Sequence, residues 1–563
     1  MMIHEYAAMG DLVRVREELR NGVAVDARDE RDYTPLACAA RSVNADEEML
    51  ELLVESGADV NAAVDQGKHF PIEMAACSAS LGKVQCLLGA GADINAVAPK
   101  GYTALIKIMY ALHNQDSLVL MADFLVKHGA VIDCQTDYGE SPLSVASRMG
   151  RFDAVKCLLE AGADSSPLQW TPLMKAIALG SCEDVAQCLD GTSRIDDRDN
   201  FFRTPLHLAA VVGDIRKADL LHGRGANLDE RERGGNSPLM TSVASGKSEM
   251  VQWLIDHGAN IEAVDEMGNT ALMLAAQTGE TGCVQLLLEA GADRTRPNEF
   301  GKTAKSLAMN EPIIRLLTKA GEDLSGISNE MKRTLIGLPL KGSINTSQSE
   351  YTAGRDRRFG RSNPEVMRIS FWQEMIRAGV NAYQARKQFG DTHYSTRPVW
   401  CFDRFGMSFT ELPDGRFVQI GGEHEDYYDP DFCIYNDVVV HDRSGQFEMM
   451  GYPEDVFPPT DFHSATLVKG DIYIVGRLGY QGSRKFGTTP VYRLNCRTWR
   501  IQAVETSGDN PGWIFEHKAS FDGSRNVVVS EGTIAQEVDG EEQHVENKEQ
   551  FCLDLTEMRW SRL

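Results

Sequence analysis

The residues of this sequence with the clearest capacity for chemistry are the carboxylates and the histidine between Glu423 and Asp431. Six of these nine positions are acidic or histidine residues, and carboxylate and imidazole groups are common ligands of divalent metal ions. His424, Glu425, Asp429 and Asp431 are therefore candidate metal ligands. The competing interpretation is a solvated acidic loop that repels unsuitable partners.

A second candidate site contains His463 and His517, which are 54 residues apart. Asp461 and Glu516 lie beside them in the sequence, so these side chains could bind a metal ion or transfer protons. The two histidines could instead serve only as hydrogen-bond partners between strands. The sequence contains no G-x-S-x-G, H-E-x-x-H, phosphate-binding loop or dinucleotide fingerprint. It therefore predicts neither an enzyme nor a cofactor.

The composition is that of an acidic protein with several domains. The 563 residues exceed what one hydrophobic core usually supports, and the net charge is −25. Residues 1–325 hold 30 basic and 48 acidic side chains, residues 326–400 hold 12 and 6, and residues 401–563 hold 15 and 28. Two strongly acidic regions do not suit the binding of phosphate groups, so nucleic acid is not an expected partner. No apolar run reaches the roughly 20 residues of a membrane span, so a membrane is not expected either. Twelve scattered cysteines and the lack of an apolar leader favour a cytoplasmic location.

A repeated motif in the N-terminal half indicates the elements that would position any binding residues there. It begins with threonine or serine followed by proline or alanine, and its clear copies start 33 residues apart at Thr171, Thr204, Ser237, Thr270 and Thr303. Looser copies start at Thr34, Phe70, Thr103 and Ser141. Threonine or serine can cap a helix, proline fits the first helical position, and a glycine late in each unit suits a left-handed helix end. Ten such glycines indicate ten units of paired helices.

The segment from Thr204 to Ala210, TPLHLAA, resembles the signature of the ankyrin family, and the sustained spacing makes this resemblance specific. It implies that residues 1–325 form an all-α solenoid of about ten stacked helix pairs with protruding turns. Ankyrin stacks bind other proteins, so the resemblance also implies a groove for a protein partner. Each repeat is stable only through contact with its neighbours.

Aromatic residues at the turns are the predicted partner contacts. A glycine usually stands two residues before the helix cap, but Phe202 occupies this position in one unit, and a bulky residue is costly at positive φ. The sequence therefore predicts a different turn there, with an aromatic pair at its tip that contacts a partner or packs on the next turn. The candidate contact residues are Tyr33, Tyr138, Phe201, Phe202 and Arg203.

Two different segments are expected between the solenoid and the C-terminal domain. Residues 326–363 show no clear period and many glycine and arginine residues, which predicts a basic flexible linker. In residues 364–390, Met367, Phe371, Met375 and Tyr383 follow helical spacing, which predicts an amphipathic helix that packs on the C-terminal domain.

Residues 391–563 change to alternating apolar residues separated by turn signals, which predicts an all-β domain. Three similar units are visible, marked by Gly421-Gly422, His463 and His517. This order resembles the kelch family, in which each repeat of about 50 residues forms one four-stranded blade of a propeller. The resemblance implies a propeller or partial propeller, with structural histidines and a variable loop after the double glycine. A divergent fourth blade, a dimeric ring and an open stack all remain compatible with three copies.

Together these features predict a protein-interaction scaffold or adaptor. The ankyrin groove would bind one protein, and the kelch-like domain would bind a second protein or form a homo-oligomer. One alternative is an enzyme or metal-binding kelch-type domain to which the ankyrin repeats recruit a substrate. Another is an inhibitor of the effector or immunity type that simply occludes its partner.

Overall fold

The computed structural model describes residues 2–191, 194–319, 321–340, 342–391, 398–424 and 432–563. The chain divides into two compact units. The N-terminal unit comprises Met1–Leu274 and Leu286–Ala292, and the C-terminal unit comprises Ala275–Gln285 and Asp293–Leu563.

The N-terminal half is a succession of paired α-helices. Its helices are α1 Met2–Met9, α2 Leu12–Arg20, α3 Pro35–Arg41, α4 Glu47–Glu55, α5 Pro71–Cys77, α6 Leu81–Gly89, α7 Ala104–Ala111, α8 Gln115–Lys127, α9 Pro142–Arg148, α10 Phe152–Glu160, α11 Pro172–Leu179, α12 Cys182–Asp190, α13 Pro205–Val212, α14 Ile215–His222, α15 Pro238–Ala244, α16 Ser248–Asp256, α17 Ala271–Thr278, α18 Thr281–Glu289, α19 Ala304–Leu307 and α20 Glu311–Leu317. The first helix of one pair packs against the first helix of the next, as α3 does on α5 and α5 on α7.

The repeated motif determines where the first helix of each pair begins. The hydroxyl of Thr34 accepts the backbone N–H of Ala37, and that of Thr171 accepts the N–H of Met174. The proline that follows each cap occupies the first turn, where its missing N–H leaves no hydrogen bond unmade. This arrangement confirms the repetitive helical architecture that the sequence predicts.

Neighbouring repeats of the N-terminal unit are joined by polar side chains as well as by apolar packing. The carboxamide of Asn61 accepts the N–H of Asp93 at 2.8 Å, and Asn95 does the same for Val131. Lys217 is 5% exposed and donates to two carbonyls at the end of α11 in the preceding repeat, those of Ile177 and Gly180. These bonds satisfy helix-end carbonyls that have no partner within their own helix.

The segment after α20 contains ordered elements where the sequence predicts a flexible linker. They are α21 Asn329–Leu335, α22 Gln348–Gly354, β1 Glu365–Val366, α23 Ser370–Ala378 and α24 Ala382–Gln388. The expected single helix over residues 364–390 is likewise a short strand and two helices. Gly379 ends α23 in the left-handed conformation, and Asn381 caps α24. Trp372 of α23 stacks on Trp400 with 4.8 Å between ring centroids.

The remainder of the C-terminal unit is rich in β-strands. They are β2 Ser408–Glu411, β3 Phe417–Ile420, β4 Glu423–His424, β5 Cys433–Ile434, β6 Val438–His441, β7 Phe447–Gly451, β8 Ser464–Val468, β9 Asp471–Val475, β10 Val491–Asn495, β11 Ile501–Ala503, β12 Ser507–Gly508, β13 Trp513–Phe515, β14 Lys518–Phe521, β15 Asn526–Ser530, β16 Thr533–Val538, β17 Glu541–Glu546, β18 Phe551–Asp554 and β19 Arg559–Arg562.

Three of the sheets contain the same four-stranded antiparallel meander. The first sheet has the order β1-β7-β6-β3-β2, the second β11-β10-β9-β8, and the third β12-β19-β18-β15-β14. Smaller sheets are formed by β13-β16-β17 and β4-β5. Within the described residues these sheets do not close into a barrel or a propeller, so the structure supports the β-rich class and not a closed ring.

Apolar side chains fill the space between successive sheets. Val418 and Ile420 of the first sheet belong to one core cluster with Ile472 of the second. The opposite face of the second sheet, which includes Val475, shares another cluster with Val527 of the third. Because β-strand side chains alternate, β8, β9 and β10 each supply residues to both cores.

Candidate partner-binding face

Helices α3, α5 and α7 are the first helices of three consecutive repeats, and together with the turns before them they form what we call the inner face. A cavity of about 530 Å³ opens on this face and is lined by residues from all three repeats. Regular stacking places equivalent positions of the repeats side by side, so residues more than 30 positions apart in the sequence meet at one site.

One wall of the cavity is aromatic. Tyr33 and Tyr102 both stand directly before the helix caps of their repeats, and Tyr110 lies on α7. The rings of Tyr102 and Tyr110 are 6.5 Å apart and tilted by 59°. The guanidinium of Arg41 lies over the ring of Tyr33, 5.5 Å from its centroid. Aromatic and arginine side chains of this kind are the usual anchors of protein interfaces.

The base of the cavity holds a buried carboxylate. Glu73 of α5 is 2% exposed, and its Oε1 accepts a hydrogen bond from Lys107 Nζ at 2.6 Å. Nδ1 of His69 lies 2.5 Å from the same oxygen, and Lys107 also donates to the carbonyl of Lys68 at 2.8 Å. The second carboxylate oxygen, Oε2, is buried without a hydrogen-bond partner among the described residues. Buried polar atoms are normally satisfied, so this oxygen is an exception within the packed interior of the repeats.

A polar network on the next repeat holds Tyr110 in position. Its hydroxyl donates to Glu140 Oε2 at 2.9 Å and accepts a hydrogen bond from Arg148 at 2.7 Å. Arg148 also donates to Glu140 Oε1 at 2.7 Å. Burial, followed by the hydrogen bond to Glu140, raises the pKa of Tyr110 to about 12. Tyr110 therefore presents a neutral and rigid ring to the cavity.

The structure does not bring the five predicted contact residues together. Tyr33 lines the cavity, whereas Tyr138 is 62% exposed on a turn, where its hydroxyl accepts a hydrogen bond from Lys100. Phe202 is 49% exposed, and Phe201 is half-buried beneath the guanidinium of Arg203. Sequence reasoning missed Glu73 and Lys107, although a glutamate among the apolar residues of α5 was a visible signal.

Arg203 was predicted to contact a partner, but its side chain is enclosed within the N-terminal unit. It is 2% exposed, and its guanidinium donates to Asp199 Oδ2 at 2.7 and 2.8 Å. It also donates to the carbonyl and the hydroxyl of Ser147, which lies 56 residues away in the sequence. Arg203 stands at the start of the repeat of Thr204, and these bonds join it to the repeat of Ser141, two repeats earlier, a role that no local pattern could reveal.

The prediction of an unusual turn at Phe202 is also wrong. Phe202 has φ of 62°, in the same left-handed region as Asp32 at 66° and Gln169 at 54°. The carboxylate of Asp199 accepts the N–H groups of Phe201 and Arg203 and thereby holds the turn. These hydrogen bonds offset the steric cost of a side chain at positive φ.

Of the candidate metal ligands between Glu423 and Asp431, the structure describes only His424. Glu425, Asp429 and Asp431 lie outside the described residues. His424 is 4% exposed, and its Nδ1 lies 3.0 Å from Sγ of Cys401. Burial raises the pKa of the Cys401 thiol to about 12, so this pair does not hold a reactive thiolate. Where the structure describes the chain, no three histidine, cysteine or acidic side chains are grouped so that they could hold a metal ion.

His463 and His517 each connect one sheet to the sheet before it. Nε2 of His463 lies 2.8 Å from the hydroxyl of Ser408, and Nε2 of His517 lies 2.8 Å from that of Ser464. The two serines are the first residues of β2 and β8, so the same contact joins the first sheet to the second and the second to the third. Burial lowers the pKa of each histidine to about 3.

Acid is expected to destabilise the C-terminal unit between pH 6.5 and about 3. His441, His463 and His517 have folded-state pKa values of about 3, mainly because of burial, against about 6.5 in an unfolded chain. In this range the unfolded state binds more protons, so the free energy of unfolding falls as the pH falls, by up to about 1.4 kcal/mol per pH unit for each histidine. Urea unfolding, followed by tryptophan fluorescence at several pH values, measures this slope.

The variant His441→Phe provides the control for this prediction. His441 lies between the rings of Phe402 and Phe447, and neither of its nitrogens has a hydrogen-bond partner among the described residues. Phenylalanine keeps an aromatic ring there and cannot bind a proton, so the slope should become shallower. An unchanged slope would show that the protonation of His441 does not contribute to acid destabilisation.

The regular pairing of helices and the capped first helix of each pair define the N-terminal half as an α-helical repeat array. The family of ankyrin repeats matches in three-copy form at residues 72–167, 108–199, 206–298 and 259–328, and in single-copy form at residues 31–65. The helical repeats of this chain are ankyrin repeats. The kelch resemblance of the C-terminal residues has no support from these comparisons. None of the described helices is both long enough and apolar enough to span a bilayer.

Curated relatives are similar to this chain over part of its length. Transient receptor potential cation channel subfamily A member 1 of Drosophila melanogaster is 29% identical over 247 residues, which are 40% of this chain and 20% of the relative. Ankyrin repeat protein nuc-2 of Neurospora crassa is 34% identical over 93 residues, 16% of this chain and 9% of the relative. Neurogenic locus notch homolog protein 1 of Mus musculus is 33% identical over 133 residues, 21% of this chain and 5% of the relative. The chain thus spans a fifth or less of the length of these relatives.

Proposed function

We propose that this protein binds another protein through the inner face of its ankyrin repeats and acts as an adaptor rather than as a catalyst. The observation that carries the proposal is the cavity shared by α3, α5 and α7, with its aromatic wall and its buried Glu73. Pre-formed concave sites with aromatic surfaces and a few polar groups are where ligands bind. Ankyrin repeats are typically found in proteins that work through such interactions, which supports the same function.

The C-terminal unit is proposed to present a second interaction surface on an open stack of three kelch-like blades. The three four-stranded meanders and the repeated histidine–serine contacts support this arrangement. At the two ends of the series the contact cannot continue. Met407 occupies the histidine position before the first sheet, and Lys518 occupies the serine position of the third. A closed ring would place these two residues against each other.

Self-association through the third sheet is not part of this proposal. Its outward side chains include Lys518, Ser520, Arg559 and Ser561, all of which are exposed. A polar outer face suits the terminal unit of a stacked array better than an interface between two copies. The proposed location is a reducing compartment such as the cytoplasm, because all twelve cysteines are free thiols.

A charge reversal on the inner face tests the proposed function. Arg41→Glu is expected to lower the amount of partner captured by the full-length protein about tenfold, because an exposed arginine beside an aromatic ring is a typical interface anchor. The matched control is Lys156→Glu, an identical change in charge at an exposed position of α10. Quantitative mass spectrometry compares the proteins captured from cells of the source organism by the two variants and by the wild type. Equal capture by all three would refute binding through the inner face.

A further inference from the structure

β17 leaves one sheet edge of the C-terminal unit open to a further strand. On one side it pairs with β16, and its other side has no neighbour in the sheet β13-β16-β17. In the first and third sheets, by contrast, the last strand of the meander is covered by β1 or by β12. β17 is six residues long and is exposed along most of its length. An open strand edge of this kind is a template for pairing with another chain.

The register of the hairpin shows which backbone groups of β17 face away from β16. The two residues of its turn, Asp539 and Gly540, both have positive φ, at 55° and 82°. In such a turn the flanking pair exchanges hydrogen bonds, and hydrogen-bonded and non-hydrogen-bonded pairs then alternate along the ladder. The N–H and C=O groups of Glu542, His544 and Glu546 therefore point outward, and none of them has a backbone partner among the described residues.

The side chains around this edge carry charge of one sign. Five acidic residues and no lysine or arginine lie in β16, β17 and their turn, namely Glu537, Asp539, Glu541, Glu542 and Glu546. The basic side chains nearby are already paired, Arg484 with Glu542 and Lys548 with Glu546. The other three carboxylates are exposed and form no ion pair within the described part of the chain. Burial, followed by the charge of Arg484, lowers the pKa of His544, so this histidine adds no positive charge at neutral pH.

These charges determine which kind of strand can pair with β17. A second copy of this chain would bring an equally acidic strand, and like charges on opposed strands are destabilising. An apolar strand would gain nothing from the carboxylates and would partly exclude water from them, at a cost in desolvation. Lysine and arginine side chains on an added strand would lie beside these carboxylates, and opposite charges on neighbouring strands are favourable. The charges that discourage unselective pairing therefore admit a basic strand.

We propose that β17 binds an extended, basic segment of a partner protein, which adds to the hairpin as a further strand. This inference rests on the proposed function, because it assigns the second interaction surface of the C-terminal unit to one strand and names the chemistry of its partner. The outward N–H and C=O groups of β17 supply main-chain hydrogen bonds, as in other cases where a peptide extends a sheet. The carboxylates select lysine or arginine on the added strand.

Synthetic peptides test the inference on the full-length protein. The first probe is a short, acetylated and amidated peptide of alternating lysine and threonine, and the second has glutamate in place of lysine. The third is the lysine peptide with N-methyl groups on adjacent central residues, which blocks hydrogen bonding at both of its edges. In fluorescence anisotropy the lysine peptide should bind saturably and the glutamate peptide should not bind. The N-methylated peptide should bind about tenfold more weakly than the lysine peptide.

Two further measurements locate the binding site. Hydrogen exchange followed by mass spectrometry should show slower exchange of the amides of β17 when the lysine peptide is bound. The variant Glu541→Lys should bind this peptide about tenfold more weakly, because it reverses a charge on the strand itself. The matched control is Glu557→Lys, an identical change at an exposed position between β18 and β19, which should bind as the wild type does. If Glu541→Lys does not fold, the comparison of the three peptides on the wild-type protein still decides the matter.

Equal affinity of the lysine peptide and its N-methylated analogue would overturn the inference, because binding would then depend on charge alone. Saturable binding of the glutamate peptide, no saturable binding of the lysine peptide, or slowed exchange only outside β17 would overturn it as well. Any of these results could occur while Arg41→Glu still lowers capture of the partner, in which case the inner face stands as an interface and only the added strand is lost. Equal capture by Arg41→Glu, Lys156→Glu and the wild type would instead refute binding through the inner face.

Discussion

Replacing Arg203 by methionine is expected to lower the free energy of unfolding of the ankyrin repeats by about 3–5 kcal/mol. The substitution leaves the carboxylate of Asp199, which has no exposed side-chain surface, without its ionic partner. It also removes two hydrogen bonds to Ser147, which lies two repeats earlier in the chain. Loss of one partner of a buried ion pair is costly because the remaining charge can neither move into water nor find another partner. Urea unfolding followed by far-ultraviolet circular dichroism measures the change.

The matched control is Arg233→Met. Arg233 also lies beside an aromatic ring, that of Phe202, but it is exposed on the surface. Its replacement should lower the free energy of unfolding far less, because Arg233 is exposed and its loss leaves no buried carboxylate without a partner. Similar stability of the two variants would show that the guanidinium of Arg203 is not the brace between repeats that its contacts indicate.

The second large effect is expected in the C-terminal unit for Arg404→Met. The side chain of Arg404 is fully buried, and its guanidinium forms an ion pair with Asp437 and donates to the carbonyls of Cys401 and Gly421. It also lies 3.6 Å from the ring centroid of Tyr435. The ion pair with Asp437 and the contact with the Tyr435 ring together offset the cost of burying the charged guanidinium. We expect a loss of about 3–5 kcal/mol in the free energy of unfolding of this unit, measured by tryptophan fluorescence.

Arg416→Met is the comparison for this variant. Arg416 pairs with Asp414 at 2.7 Å and lies over the ring of Trp499, but both partners of the ion pair are partly exposed to solvent. Solvent-exposed ion pairs contribute little, so the change should be small. If Arg404→Met were no more destabilising than Arg416→Met, the buried pair would not be a main support of the first sheet.

Local patterns in the sequence were sufficient to locate the helices of the repeats. Thr34 and Thr171 begin helices because the hydrogen bond of a cap involves residues only three positions away. The alternation around Ile472 and Val475 likewise predicted a strand, and the structure shows that both faces of this strand are covered. In the connector, however, a local signal was overlooked. Ser347 and Glu350 form a capping box that begins α22, and this serine–x–x–glutamate pattern is visible in the sequence.

The candidate site depends on contacts that no local pattern contains. Glu73 and Lys107 are 34 residues apart, and Arg203 and Ser147 are 56 residues apart. The charge of Arg203 and its place beside two phenylalanines favoured a surface role, whereas stacking of the repeats encloses it. Burial of a charged side chain is decided by whether a distant partner reaches it, so it became evident only in the folded chain.

Photo-cross-linking from the inner face tests the central claim most directly. The photoreactive residue p-benzoylphenylalanine would replace Ala111, an exposed residue at the edge of the cavity, or Lys156 on α10 in full-length protein incubated with its captured partner. Binding through the inner face predicts a covalent adduct with the partner from position 111 and none from position 156. An adduct from position 156 alone would contradict the account.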